Sequence, residues 1–202
     1  MAQSIDSKVL CKIKKCGRGK LFFSSDFAAY GEAKSVLKAL ERLTKAEILL
    51  RLSPGIYYYP KIDKQLGIGV LYPSLETIAS AIAKRDKARI VPTGLYALNK
   101  LGLSTQVPMN IVYLTDGSSR KINIGDGRGI LFKYAAPKNF AFKSELAMLI
   151  VFALKELKQE NVTAEHLEKI KQMLQREPKK RVMADAALMP AWIKAIIMKS
   201  YE

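Results

Sequence analysis

From Glu32 to Lys45 the chain places apolar residues at helical spacing. Val36, Leu37, Leu40 and Leu43 form one stripe, while Lys34, Ser35, Lys38, Glu41 and Arg42 project on other sides. One face of such a helix packs and the other stays free. Directly after it come two β-prone runs, Ile48-Leu49-Leu50-Arg51-Leu52 and Ile56-Tyr57-Tyr58-Tyr59, on either side of Ser53-Pro54-Gly55 and closed by Pro60. An amphipathic helix that feeds straight into a hairpin is compatible with few small folds.

The residues before it narrow the choice. Ser4 to Lys15 reads as a helix, since Ile5, Val9, Ile13 and Cys16 recur at spacings of four and three, and Gly17-Arg18-Gly19-Lys20 breaks it. Leu21-Phe22-Phe23 is a short strand, and Ser24-Ser25-Asp26 offers a capping residue for a short helix that ends near Tyr30-Gly31. Helix, strand, helix, helix, hairpin is the order of a winged helix-turn-helix, and it predicts a DNA-binding domain over residues 1–60.

Residues 61–202 read as a second, α/β domain. Lys61 to Tyr72 is a Gly-containing connector, and Pro73-Ser74 introduces a helix at Leu75 to Arg85. Arg89-Ile90-Val91 is a strand, and Thr93-Gly94 opens a short helix that Gly102 ends. Asn110 to Thr115, Lys121 to Ile124 and Ile130 to Tyr134 are strands, expected as a small antiparallel meander. From Ser144 onward the pattern is helical, with Thr163 capping one helix and Pro190 starting the last. The expected class is therefore α+β and helix-rich: a winged helix-turn-helix, then an α/β domain with a small antiparallel sheet and C-terminal helices.

Against 34 Lys and Arg stand 18 Asp and Glu, a formal charge of +16 spread along the whole chain. Such an excess favours a polyanionic partner, because neutralising phosphates releases counterions, and nucleic acid is the first class to consider. No apolar run approaches the roughly 20 residues of a membrane-spanning helix. The polar start Met1-Ala2-Gln3-Ser4-Ile5-Asp6 has no signal-peptide core, so a soluble cytoplasmic protein without a membrane partner is expected. Cys11 and Cys16 are the only cysteines and His166 the only histidine; a disulfide framework, a zinc site or any other metal or cofactor is not expected.

Three segments resemble the AbiE-type (AbiEi-like) antitoxin family of bacterial type IV toxin–antitoxin systems. They are Val36-Leu37-Lys38-Ala39-Leu40-Glu41-Arg42-Leu43, then Arg51-Leu52-Ser53-Pro54-Gly55-Ile56-Tyr57-Tyr58, and Pro92-Thr93-Gly94-Leu95-Tyr96-Ala97-Leu98-Asn99-Lys100-Leu101-Gly102-Leu103-Ser104. The likeness runs from about residue 5 to 135. It implies a winged-helix transcriptional regulator that binds operator DNA and represses its own operon. It further implies a C-terminal domain that neutralises a nucleotidyltransferase-like toxin, without requiring a stable complex, and dimeric or cooperative assembly on DNA.

The candidate DNA-binding residues are Lys34, Ser35, Lys38 and Arg42 on the free face of the expected recognition helix, where long polar side chains reach base edges and phosphates. The alternative for them is a solvated helix face. Arg51 and Tyr57 in the hairpin, and Arg18 and Lys20 before the first strand, complete the set, although at least one tyrosine of the run must be core. Gly125-Asp126-Gly127-Arg128-Gly129 lies between two strands and so reads as a hairpin turn rather than a phosphate loop. His166, without a Cys or Ser nucleophile nearby, reads as a surface residue.

No enzyme is expected. The alternatives are a winged-helix module that contacts protein or RNA, and a metal-dependent nuclease. The latter suffers from scarce acids, since residues 61–136 hold only Asp63, Glu76, Asp86, Asp116 and Asp126.

Overall fold

The computed structural model of the chain describes residues 4–63 and 67–202. The polar start at residues 1–3 and the centre of the expected connector, residues 64–66, lie outside the described residues. The architecture is α+β and helix-rich, with a helix/strand region at the N-terminus and helices at the C-terminus. Two compact units are present, Met1–Ala81 with Asn123–Asp126, and Ile82–Ile122 with Gly127–Glu202.

In the first unit, Ser4 caps α1 (Ile5–Cys16), its Oγ accepting from the Ser7 N–H at 3.2 Å. Gly17, at φ +83°, lets the chain leave the helix. Then follow β1 (Lys20–Phe23), a 3-10 turn over Ser24–Tyr30, and α2 (Ala33–Lys45). The Asp26 carboxylate accepts from the Phe23 N–H at 2.7 Å and so fixes the entry to that turn. Val9 and Ile13 of α1 meet Val36, Ala39, Leu40 and Leu43 of α2, with Phe22 and the fully buried Phe27 in the same core. Leu37 does not join this stripe. Each residue turns the helix by about 100°, so a face centred on 36, 39, 40 and 43 carries Leu37 off it, 46 % exposed.

The hairpin is shorter than expected. The N–H groups of Ile48 and Leu49 both donate to the Leu43 carbonyl, at 3.0 and 3.2 Å, and so close α2 instead of pairing in a strand. The strands are β2 (Leu50–Ser53) and β3 (Ile56–Tyr59). β3 pairs antiparallel with β1 (Lys20↔Tyr59 to Phe23↔Ile56) and with β2 (Leu50↔Tyr58, Arg51↔Tyr57), giving the order β1-β3-β2. As the central strand it is buried at every position. The expected connector instead contains an antiparallel pair, β4 (Lys61–Asp63) and β5 (Gly69–Leu71). The Tyr58 hydroxyl, on the face of β3 opposite Tyr57 and Tyr59, donates to the Leu71 carbonyl at 2.7 Å.

After α3 (Leu75–Asp86) comes a sheet of β6 (Ile90–Thr93), β7 (Asn110–Thr115), β8 (Arg120–Gly125) and β9 (Arg128–Tyr134) in the order β6-β7-β9-β8, all of it in the second unit except residues 123–125 at the end of β8. The expected meander is corrected here, because β7 and β9 run parallel, from Asn110↔Gly129 to Thr115↔Tyr134. Burial explains it. Ile111 and Tyr113 share a buried face with Ile130 and Phe132, so the two apolar strands pair, and β8, with Arg120 and Lys121, takes the edge. The Gly125 to Gly129 run is the tight turn between β8 and β9, with Asp126 and Gly127 at φ +50° and +71°.

α4 (Gly94–Lys100) follows β6, and Gly102, at φ +66°, lies just past its end. α5 (Glu145–Leu157) is apolar nearly all round and forms the centre of the helical core, with α6 (Ala164–Leu174), α7 (Lys179–Met183) and α8 (Ala191–Lys199) contributing Ile170, Leu174, Val182, Ile193 and Ile197. Asp185, 1 % exposed, accepts from the backbone N–H groups of Lys143 (2.9 Å) and Ser144 (2.8 Å), which fixes the start of α5. His166 is structural, contrary to its reading as a surface residue. Its Nδ1 accepts from the Thr163 N–H at 3.2 Å, so the ring proton belongs on Nε2, which lies 3.2 Å from the Leu103 carbonyl.

Candidate nucleic-acid interface

The packing of α2 decides which of its side chains are available. With Val36, Ala39, Leu40 and Leu43 inward, Lys34, Lys38, Glu41 and Lys45 recur three or four residues apart on the outer face. Leu37 stands on one flank of this row, and Ser35, half-buried, and Arg42 on the other. Glu41 is paired to Lys45 at 3.0 Å, and its carboxyl is held below the usual range first by that hydrogen bond and then by the charges of Lys45, Arg51 and Arg42. Lys34 and Lys38 form no ion pair among the described residues.

Arg42 is committed elsewhere. Its Nε and Nη2 donate to the two carboxylate oxygens of Asp6, each at 2.6 Å, a two-pronged staple between α2 and α1. The hydrogen bond from Arg42 lowers the Asp6 pKa and raises that of the guanidinium. The pairing uses Nε and Nη2, so only the remaining N–H groups of the fork are open to a phosphate.

The hairpin and the lead-in to β1 divide likewise. Arg51 is exposed on β2 and lies directly opposite Tyr57, on the sheet face turned toward α2, where its charge reaches Glu41. Tyr57 itself is 3 % exposed and sits in the core with Phe22 and Tyr59. Assigning it to DNA is thereby corrected, because a residue of the central strand that faces the helices has no surface to offer. Arg18 stacks on Tyr59, its Cζ 4.8 Å from the ring centroid, and its Nη1 donates to the Pro60 carbonyl at 2.9 Å. Lys20 is exposed on β1. β1 and β2 flank β3, with Lys20 opposite Tyr59 and Arg51 opposite Tyr57, so the two stand about 12 Å apart on the sheet. The structure thus puts Lys34 and Lys38 together on the outer face of α2, sets Arg51 within electrostatic reach of Glu41 farther along that helix, leaves Lys20 at the far edge, and engages Arg18 and Arg42 with other groups.

The acids weighed for a nuclease are placed differently from a metal centre. Asp86 is paired with Arg85 and Arg120. Asp116 accepts from the Arg89 backbone N–H at 2.7 Å and from its Nε at 2.8 Å. Among the described residues, no group of three or more His, Cys, Asp or Glu side chains is arranged to hold a metal ion. Nor is any helix among them long and apolar enough to cross a membrane.

Residues 8–182 match a family of unknown function, DUF6088. The chain belongs to DUF6088. The match takes in α2, the hairpin and most of the second unit, so the family embraces both the cationic helix and the sheet-and-helix region after it. No curated protein matches the chain. Among solved structures, it is similar in fold to the RV2827C protein from Mycobacterium tuberculosis, with 15 % identity and a TM-score of 0.50, over 98 % of this chain and 82 % of that one. At that identity the likeness concerns fold alone.

Proposed function

We propose that α2 is the recognition helix of a winged helix-turn-helix that binds double-stranded operator DNA. On this reading the β2–β3 hairpin is the wing, and this member of DUF6088 is a transcriptional autorepressor. One observation carries the proposal: Lys34 and Lys38 stand on the outward face of an amphipathic helix with no ion pair among the described residues, in a chain of charge +16. A helix fits the major groove, where cationic side chains reach phosphates and guanine acceptors. The turn Ser53-Pro54-Gly55 has no cation, which leaves Arg51 as the hairpin's phosphate contact.

The physiological role rests on the resemblance to AbiE-type antitoxins. The operon is then a type IV toxin–antitoxin pair, and the second unit neutralises a nucleotidyltransferase-like toxin. A DNA footprint over the region upstream of the gene tests the DNA-binding part. Protection of paired half-sites by the full chain, lost when Lys34 and Lys38 are both changed to Glu, is the expected result. Equal protection by parent and variant would overturn it. Co-expression with the neighbouring gene tests the other part, since rescue of growth must be lost when the second unit is disrupted.

A further inference from the structure

We propose that Leu37 determines sequence specificity by receiving the C5-methyl group of a thymine. This rests on the reading of α2 as a recognition helix. Leu37 is the large apolar residue beside the outward-facing row of that helix, 46 % exposed on the flank of Lys34, Lys38 and Glu41. It forms one wall of a shallow concavity of about 280 Å³, lined also by Ser24, Ser25, Ala28 and Ala33. The hairpin turn closes beside this hollow, where the Ser24 N–H donates to the Gly55 carbonyl at 3.2 Å.

The methyls of Ala28 and Ala33, the isopropyl of Val36 and the isobutyl of Leu37 line the hollow, with the hydroxyls of Ser24 and Ser25 and the backbone of Gly31, and no cation is among them. Its chemistry therefore suits a small apolar group and not a phosphate. The ammonium groups of Lys34 and Lys38 on the adjoining helix face state what kind of molecule brings that group, a polyanion. Among major-groove edges, thymine alone presents a methyl, and apolar side chains are its usual contacts. A half-exposed leucine beside the cationic face is thereby matched to the one apolar group on a major-groove base edge.

The experiment uses the full chain and duplexes that it selects from a random-sequence library. Each thymine of a selected duplex is replaced in turn by deoxyuridine, which removes only the methyl. Burying one methyl corresponds to about fourfold in affinity, so one position should weaken parent binding by that factor. Leu37→Ala should lose a similar factor on the thymine duplex and become indifferent to deoxyuridine there, while Leu37→Met keeps the preference. Deoxyuridine penalties identical in parent and Leu37→Ala, or absent at every position, would overturn the proposal and leave DNA binding standing. Failure of the parent to retain any duplex at low salt would overturn both. Loss of a dimer on Leu37→Ala, with thymine and deoxyuridine duplexes weakened alike, would assign the hollow to a second copy of the chain.

Discussion

In the second unit Arg89 holds Asp116 through both backbone and side chain, Arg85 and Arg120 share Asp86, and Arg181 meets Glu177 at 3.2 Å. On α2 in the first unit, Lys34 and Lys38 point outward with no such carboxylate among the described residues. Both regions are basic, yet their cations work differently. Arginine's planar fork is consumed in ties between segments distant in sequence, such as 89 with 116 and 42 with 6. The two lysines hold nothing together. On α2, charge that folding does not use stands on one outward face, and that is what the proposed DNA contact needs.

The contrast can be broken first in the interior. Leu154→Ala, in the fully buried centre of α5, is expected to cost about 2 to 5 kcal/mol, read as a lower urea midpoint. Asp185→Asn should come next, at about 1 to 3 kcal/mol. Its carboxylate receives only N–H donors, and an amide must turn its own donor toward them. If either variant unfolded at the parental midpoint, the assignment of the second unit's core would be wrong.

How legible these regions were follows from what kind of information each needs. Periodicity placed α1, α2 and every strand of the second sheet to within a few residues, because each signal lies inside the element itself. Register and order between strands did not follow, since the β7–β9 parallel pairing depends on which strands share a buried face. The same gap explains Tyr57. Alternation indicated that the tyrosine run has two faces, but not that β3 is central and covered on both. Lys34 and Lys38 were legible because exposure on an amphipathic helix is local. The engagement of Arg42 with Asp6 was not, because the partner is on another helix. Leu37 was misplaced by one helical step, for Leu is more apolar than the Ala39 that actually faces inward.

The α2 surface gives the next effect, on affinity and not on folding. Lys34→Ala and Lys38→Ala should leave the unfolding midpoint unchanged, because neither side chain forms an ion pair among the described residues. Each should reduce the slope of log affinity against log salt by about one, similarly for all sequences. Arg42→Ala separates the two uses of charge. If Arg42 serves Asp6 alone in the complex, the slope is unchanged; a drop equal to that of Lys38→Ala would show that it also meets a phosphate.

The smallest effect lies in the pH dependence of stability. Asp116 and Asp6 are both held below the ordinary carboxylate pKa, chiefly by hydrogen bonds from Arg89 and Arg42. A depressed folded-state pKa means that the unfolded chain takes up protons first as pH falls. The stabilisation is therefore complete above the unfolded value of about 3.9 and disappears as pH drops through the folded values. Asp116→Asn should flatten the acid limb of the stability curve without altering the salt slope for DNA. Asp6→Asn should do the same to the acid limb but also release Arg42. A steeper salt slope in Asp6→Asn alone would mean that the freed guanidinium has gained a phosphate, and the same cation would then have moved from the folding role to the binding one.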